Sequence, residues 1–317
     1  MSFKSFLKLV EIQTKVASMI PFLLGSAFTL YYFEHFNLIN FFIMWGSLFT
    51  FDMCTTTINN YIDYKKANRK YGFGYESHNA IVRDQLKESA VLVVLFGLLT
   101  IAIVLGFILF LRTDVVVLLL GILSFIIGIL YTFGPVPISR TPFGEIFSGG
   151  FMGLIIPFIA IYIHLYDINV ISIELNQQLS LVLDYKTILN ILLISLPLAF
   201  GISNIMLANN ICDIEDDIEN KRYTLPIYIG KKPSLVIFKV LYYLGYVAIT
   251  LAVILRILPI ISLLTLFTLI PVQKNINTFD QIQSKKDTFI LAIKNFLLIN
   301  AVFLLTIILG ILIEVIL

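Results

Sequence analysis

Residues 209–226 read NNICDIEDDIENKRYTLP, a polar block at the end of a long apolar run. Asp213, Glu215, Asp216, Asp217 and Glu219 are followed at once by Lys221 and Arg222. An earlier pentapeptide, NNYID at 59–63, matches NNICD at 209–213 in its Asn-Asn-x-x-Asp pattern. On a helix, residues four apart lie on one face. Asn59 therefore stacks over Asp63, and Asn209, Asp213 and Asp217 form one line with Asn210 beside them. Two such faces meeting in a bundle would present carboxylate and carboxamide oxygens to a shared cavity. Hard oxygen ligands suit Mg²⁺, which is held by one or two carboxylates together with substrate phosphate. Lys66, Arg69, Lys70, Arg83, Lys221 and Arg222 supply the cations that a diphosphate also needs. Glu215, Asp216 and Glu219 point to other faces and read as solvated loop charges.

The elements that carry these residues are set by the rest of the chain. Of its 317 residues 59% are hydrophobic and only 13% charged, where a soluble domain carries about 25% charged. Segments such as 91–111 hold no charge over the roughly twenty residues that span a bilayer. The chain reads as an all-α, polytopic membrane protein with about nine helices bundled around a central cavity. The spans fall near 14–33, 38–58, 89–111, 115–133, 143–166, 187–207, 233–255, 257–273 and 289–316. The first starts too late and lacks the small-residue cleavage site of a signal peptide, so it is expected to stay in the mature protein. With an inside N-terminus, nineteen of the 22 cations fall on cytoplasmic segments, and only Arg112, Lys186 and Arg256 fall outside. That bias follows the positive-inside rule. Both pentapeptides then leave the membrane on the cytoplasmic face, after the second and sixth spans. Residues 1–317 are thus expected to form a single membrane domain with a parallel internal repeat, whose motif loops are 59–88 and 209–232.

Two cysteines, Cys54 and Cys212, rule out a disulfide scaffold. The net charge of +2 carries no basic stripe of the kind nucleic acid requires. Asp52 lies about two turns inside the second span, where an unpaired charge is expensive, and reads as functional or as paired within the bundle. Thr55, Thr56 and Thr57 suit bonds to their own helix carbonyls. His78 and His164 have no ligand-spaced partner and read as non-metal. FGPVPISRTPFG at 133–144 is either a tight helix-breaking turn or a shaped lid whose Arg140 reaches an anionic substrate.

INNYIDYKKA (58–67) and NNICDIEDDIENKRYTLPIYIG (209–230) resemble the two Asp-rich motifs of the UbiA superfamily of intramembrane prenyltransferases. YTFGPVPISRTPFGEIFSGGFMG (131–153) is similar to the segment typical of its 1,4-dihydroxy-2-naphthoate branch, which makes menaquinone precursors. The resemblance implies Mg²⁺-dependent transfer of a polyprenyl chain from its diphosphate to an aromatic acid at the plasma membrane. It also implies that Asn59, Asp63, Asp213 and Asp217 hold Mg²⁺-diphosphate, that Lys221 and Arg222 match basic positions, and that Tyr131 matches a family tyrosine. Asn60 and Ala67 stand where the first motif usually has Asp, and Cys212 where the second often has Arg; by that match Asn60, with Asn59, Asn209 and Asn210, is expected to contact the diphosphate. Restoring charge by Asn60→Asp is accordingly expected to be tolerated. Developing charge on a leaving diphosphate calls for pre-aimed cations, and an allylic cation for a water-poor pocket with electron-rich faces, which Tyr131, Phe133 and Phe151 could offer.

A transporter and a phosphatidyl-type alcohol transferase are the competing classes. The first puts its polar residues at the bilayer midplane, and the second is associated with an Asp-Gly centre absent here. The topology makes one prediction. Single cysteines placed at Lys66 and Lys221 should both react with an impermeant thiol reagent from the cytoplasmic side, and labelling from opposite sides would end the repeat argument.

Overall fold

The computed structural model describes residues 1–66, 79–175 and 179–316. Arg69, Lys70, Ala67 and His78 lie outside the described residues. A short helix α1 (Phe3–Leu9) precedes α2 (Val16–Tyr32) and α3 (Leu38–Lys66). Then come α4 (Ala80–Arg83), α5 (Glu88–Arg112) and α6 (Val115–Leu130). The fifth span runs from Gly144 to Leu165 as α7 (Gly144–Gly150), a π-helical turn over Phe151–Ile155, and α8 (Ile156–Leu165). After it come α9 (Tyr185–Cys212), α10 (Ile214–Glu219), α11 (Leu225–Ile229) and α12 (Lys231–Ile254). A 3₁₀ stretch over Ile260–Thr268 leads into α13 (Leu269–Gln281), and α14 (Phe289–Ile316) closes the chain.

Each expected span coincides with one of these helical segments. Seven are long and apolar enough to cross a membrane, and α6 is a shorter apolar helix. At 17 residues, α2 meets the lower limit of about 17 for a crossing. The protein is a multi-pass membrane protein. Burial separates the helices: 61% of the apolar window of α9 is enclosed but only 22% of that of α5. So α9 is the central post and α5 faces lipid.

One element departs from the all-α expectation. Ile171–Leu175 and Leu179–Leu183 pair as a two-stranded antiparallel hairpin, with Ile171 opposite Leu183 and Ser172 opposite Val182. The sequence there alternates, ISIEL then LSLVL, a period-two pattern short enough to pass for a loop inside an apolar chain.

Local signals start the spans. Asp114 Oδ1 accepts from the N–H groups of Val116 and Val117 at 2.9 and 3.2 Å, capping α6. Its Oδ2 accepts from the Tyr162 hydroxyl of α8 at 2.5 Å. Asp184 caps α9 through the N–H groups of Lys186 and Thr187. Such caps satisfy donors that a helix leaves open.

Tight packing of α7 on α9 fixes the middle of the bundle. A Cβ at Gly149 would collide with Ser203 and the Ala199 carbonyl, and one at Gly153 would collide with the backbone of Leu198 and Ala199. Small residues let membrane helices approach this closely. Gly153→Ala must push backbone against backbone, and overpacking of that kind costs about 1–3 kcal/mol or more. We expect it to lower the unfolding temperature in detergent markedly. Gly150→Ala, where a Cβ meets nothing within 4 Å, should leave it unchanged.

Candidate active site

A cavity of about 260 Å³ lies between α2, α3, α6 and the α7–π segment. Asn59, Asp52, Thr55 and Thr56 line it from α3, Tyr131 stands at the end of α6, and Phe147 and Phe151 come from the fifth span. Asn59 Oδ1 is buried without a hydrogen-bond partner. Tyr131 donates to the Gly144 carbonyl over a long 3.4 Å. Phe147 and Phe151 stack in parallel with centroids 6.0 Å apart. Phe133, the third expected aromatic, is 56% exposed and is not among the lining residues.

Asp52 is both paired and at the cavity. Its Oδ1 accepts from the Lys15 ammonium at 2.7 Å, and Ser18 donates to its Oδ2. Lys15 is only 3% exposed and also donates to the Asp52 carbonyl at 3.0 Å and to Thr56 Oγ1 at 2.5 Å. Each charge is thereby compensated, as a buried ion in an apolar medium must be.

The second polar block continues directly from α9. Asn209 Nδ2 donates to Asp213 Oδ2 at 3.3 Å, so the first two residues of the expected line face one another, while Asp217 lies in the next helix, α10. Lys285, from the loop before α14, reaches the same carboxylate at 2.5 Å and also donates to Asn209 Oδ1. Asp217 is 3% exposed. Its Oδ1 lies 3.2 Å from Arg222 Nε, a contact of charge without an aligned hydrogen bond, and its Oδ2 accepts from the Thr224 hydroxyl. Burial pushes the Asp217 carboxyl above the ordinary carboxylate range, against the pull of Arg222 and Thr224. Glu215, Asp216 and Glu219 are exposed, on faces other than Asp217.

The structure joins the two regions through a residue that sequence reasoning passed over. Glu145, at the start of α7, is 4% exposed and accepts from Asn210 Nδ2 at 2.8 Å. The Glu145 carbonyl accepts from Ser203 Oγ at 2.9 Å. Glu145 Oε2 and Asn210 Oδ1 are buried without partners, two oxygens left open beside the block. A carboxylate inside an apolar span was the available signal. Lys285 gave none, being one lysine of a polar loop.

The remaining expected residues are placed as follows. Asp63 is exposed one turn beyond Asn59, and Lys66 is the last residue of α3. Lys221 is exposed and takes the left-handed conformation, φ 54°. Arg140 is partly buried, and its carbonyl accepts from the Tyr223 N–H at 3.1 Å, so the turn at 138–140 rests on the chain after the second block. Arg83 Nε is paired with Asp84 at 2.7 Å, which holds that carboxyl down at about 2. Arg83 Nη2 is buried and unpartnered.

Asn60 is the correction. It does not face the cavity. Its Nδ2 donates to the Leu9 carbonyl at 2.9 Å, and its own carbonyl accepts from Asn79 Nδ2 at 2.8 Å. Adjacent helical residues point about 100° apart, so Asn59 and Asn60 serve different faces of α3. Asn60→Asp would remove the donor to Leu9 and bury a charge at a 7% exposed position. The variant should lose about 1–3 kcal/mol of stability, read as a lower unfolding temperature, whereas Asn60→Ser should lose less.

Residues 18–300 match the UbiA prenyltransferase family. The chain is 32% identical over 243 residues to the 1,4-dihydroxy-2-naphthoate octaprenyltransferase of Bacillus subtilis (strain 168), spanning 76% of this chain and 70% of that one. Its fold is similar to an apo UbiA homologue from Aeropyrum pernix K1, with a TM-score of 0.66, 18% identity and 96% and 98% of the two chains covered. It is similar also to a UbiA homologue from Archaeoglobus fulgidus bound to GPP and Mg²⁺, with a TM-score of 0.61, 15% identity and 97% and 99% coverage. An integral-membrane helical bundle with two matching Asn-Asn-x-x-Asp blocks thus belongs to the UbiA prenyltransferase family.

Proposed function

We propose that the protein transfers a polyprenyl group from its diphosphate to 1,4-dihydroxy-2-naphthoate, on the cytoplasmic side of the plasma membrane. The observation that carries this reading is the pairing of an aromatic-walled cavity with a block of acids and bases, the rim, that Glu145 of the fifth span joins through Asn210. The 131–153 segment, whose Tyr131, Phe147 and Phe151 form part of that wall, resembles the naphthoate branch, and the Bacillus relative is named for that acceptor.

The donor's diphosphate fits the rim. Lys285, Arg222 and Lys221 stand within a few residues of, or in contact with, Asp213 and Asp217. Among the described residues no three His, Cys, Asp or Glu side chains converge on one point. An ion would therefore draw on Asp213, Asp217, Asp63, the open Asn59 oxygen and substrate phosphate together. Mg²⁺ accepts such a mixed oxygen set, and the Archaeoglobus homologue binds it together with GPP. When bound, Mg²⁺ would neutralise charge developing on the departing diphosphate. The chain's own part is to orient that group with its cations, to exclude water from the cavity, and to present aromatic faces to the allylic carbon. The acceptor ring carbon then forms the new C–C bond as the C–O bond to diphosphate breaks, and the ring carboxylate leaves as carbon dioxide.

The test is turnover by membranes with matched expression, supplied with labelled polyprenyl diphosphate and a panel of aromatic acids, with products read by mass spectrometry. Prenylated naphthoquinol should dominate, and turnover of 4-hydroxybenzoate alone would move the protein to another aromatic branch. In the same assay Asp213→Ala and Asp217→Ala should each lose about a hundredfold in rate, roughly 3 kcal/mol, and should need more Mg²⁺. Asp63→Ala should also lose activity, and Glu215→Ala should match the unmodified protein. Near-normal rates for both Asp213→Ala and Asp217→Ala would overturn the assignment of the second block.

A further inference from the structure

The ion pair at the cavity wall has no part in the transfer described above. Lys15 and Asp52 meet in an apolar bundle, where ionised groups are rare and mark function more often than packing. Lys15 cannot itself meet a ligand. It is 3% exposed and is not among the residues that line the cavity. An ammonium has three donors, and all are committed: to Asp52 Oδ1 at 2.7 Å, to the Asp52 carbonyl at 3.0 Å and to Thr56 Oγ1 at 2.5 Å.

Asp52 is different. It is the only charged side chain among the described residues that line the cavity, and 16% of that side chain stays open. A carboxylate offers about four lone-pair sites. Lys15 takes one on Oδ1 and Ser18 one on Oδ2, which leaves accepting capacity on both oxygens. The hydroxyls nearby have their protons committed elsewhere. Thr55 and Thr56 donate to the Asp52 carbonyl, Ser124 to the Leu120 carbonyl and Ser148 to the Glu145 carbonyl. This wall receives a hydrogen-bond donor far better than it receives an anion.

Its place along α3 says which donor. Asp52, Thr55, Thr56 and Asn59 follow the spacing of one helical face, and all four line the cavity. Seven residues separate Asp52 from Asn59, about 10 Å along the axis at 1.5 Å per residue. The diphosphate is assigned to the Asn59 end, so Asp52 stands at the far end of the reaction space. Phe51, Phe147 and Phe151 give the same cavity its ring faces.

We propose that Asp52, held by Lys15 and Ser18, is a specificity-determining residue for the aromatic acceptor, accepting a hydrogen bond from the ring hydroxyl that lies away from the ring carboxylate. This rests on the prenyl-transfer reading. In 1,4-dihydroxy-2-naphthoate the 1-hydroxyl turns to the carboxylate beside it, so the 4-hydroxyl is the free donor. Asp52 repels the carboxylate itself, because like charges facing each other across a site are costly. One residue thereby sets which way round the ring lies, with the 4-hydroxyl inward and the carboxylate toward the cations of the rim. Lys15 acts through Asp52, balancing its charge and fixing its orientation.

Equilibrium binding separates this role from a purely structural ion pair. The protein in nanodiscs is first loaded with Mg²⁺ and geranyl thiolodiphosphate, a poorly ionising donor analogue. Calorimetry then gives dissociation constants for 1,4-dihydroxy-2-naphthoate, 1-hydroxy-2-naphthoate and 4-methoxy-1-hydroxy-2-naphthoate. The dihydroxy acid should bind roughly tenfold or more tighter than the monohydroxy acid, which lacks the donor. The methoxy compound, which cannot donate, should bind no tighter than the monohydroxy acid. Replacing Asp52 alone would strand the Lys15 ammonium, so the pair is exchanged together for apolar residues, a change that buried ion pairs often tolerate. In Lys15→Met/Asp52→Leu the preference for the 4-hydroxyl should fall to within about twofold, because the charged acceptor is gone. The thiolodiphosphate should bind both proteins alike. Equal binding of the three naphthoates by the unmodified protein would overturn the proposal, whether or not the double variant folds. A preference that survives in the double variant would also overturn it, as would an equal loss of all three naphthoates there. An unmodified protein that bound neither the thiolodiphosphate nor any naphthoate would instead bring down the prenyl-transfer reading, and the role of Asp52 with it.

Discussion

A carboxylate and a carboxamide meeting inside an apolar bundle set the geometry of everything around them. Glu145 and Asn210 are 4% and 0% exposed and share one hydrogen bond of 2.8 Å. Neither can turn to water, so each is committed to the other, and loss of either partner would leave a buried polar group at a cost of about 1–3 kcal/mol. The contact exists only because Gly149 and Gly153 let α7 lie against the backbone of α9. Through it, the segment that carries Phe147 is pinned to the helix that leads into Asp213. Cavity and rim are positioned by one interface.

The two acids of that rim are held differently, and the difference matters for binding. Asp213 is 18% exposed and its partner Lys285 is 49% exposed. A pair open to water contributes little, about 0–1 kcal/mol, and a competing cation or phosphate can take over either half. Asp217 is nearly enclosed, with its partner Arg222 at 30%. Its charge is resisted by burial and only partly balanced by its neighbours. A further positive charge arriving there would be stabilised more strongly than at Asp213. The rim thus combines an exchangeable acid with an undercompensated one, a suitable basis for holding an ion together with an anionic substrate.

Most of the architecture was readable before the structure, because a membrane span needs only a long apolar run. The line from Asn209 to Asp213 followed from helical spacing and is present. What spacing could not give was the direction of a side chain about its helix axis. Asn59 and Asn60 look equivalent in NNYID, yet one faces the cavity and the other holds the N-terminal helix at Leu9. Glu145 was visible as an acid in an apolar span, but its partner lies 65 residues away, a separation that no local pattern encodes. The hairpin at 171–183 escaped because strand alternation in an already apolar chain looks like span or loop. Asp52 stood between a functional and a paired role, and its partner Lys15 comes from the preceding helix. Asp52 and Ser18 line the cavity, so the pairing with Lys15 lies at its wall.

The lengths of α5 and α6 bear on how the bundle meets the bilayer. α6 has 16 residues, about 24 Å at 1.5 Å per residue, against a hydrocarbon core of about 30 Å. Its neighbour α5 has 25 residues, about 37 Å on the same rise. A bilayer must thin beside the short helix or lose contact with the long one, so lipid packing is strained along their shared groove. The same kind of mismatch stands at α2, with 17 residues beside the 29 of α3, so the bundle meets the bilayer with short and long helices side by side.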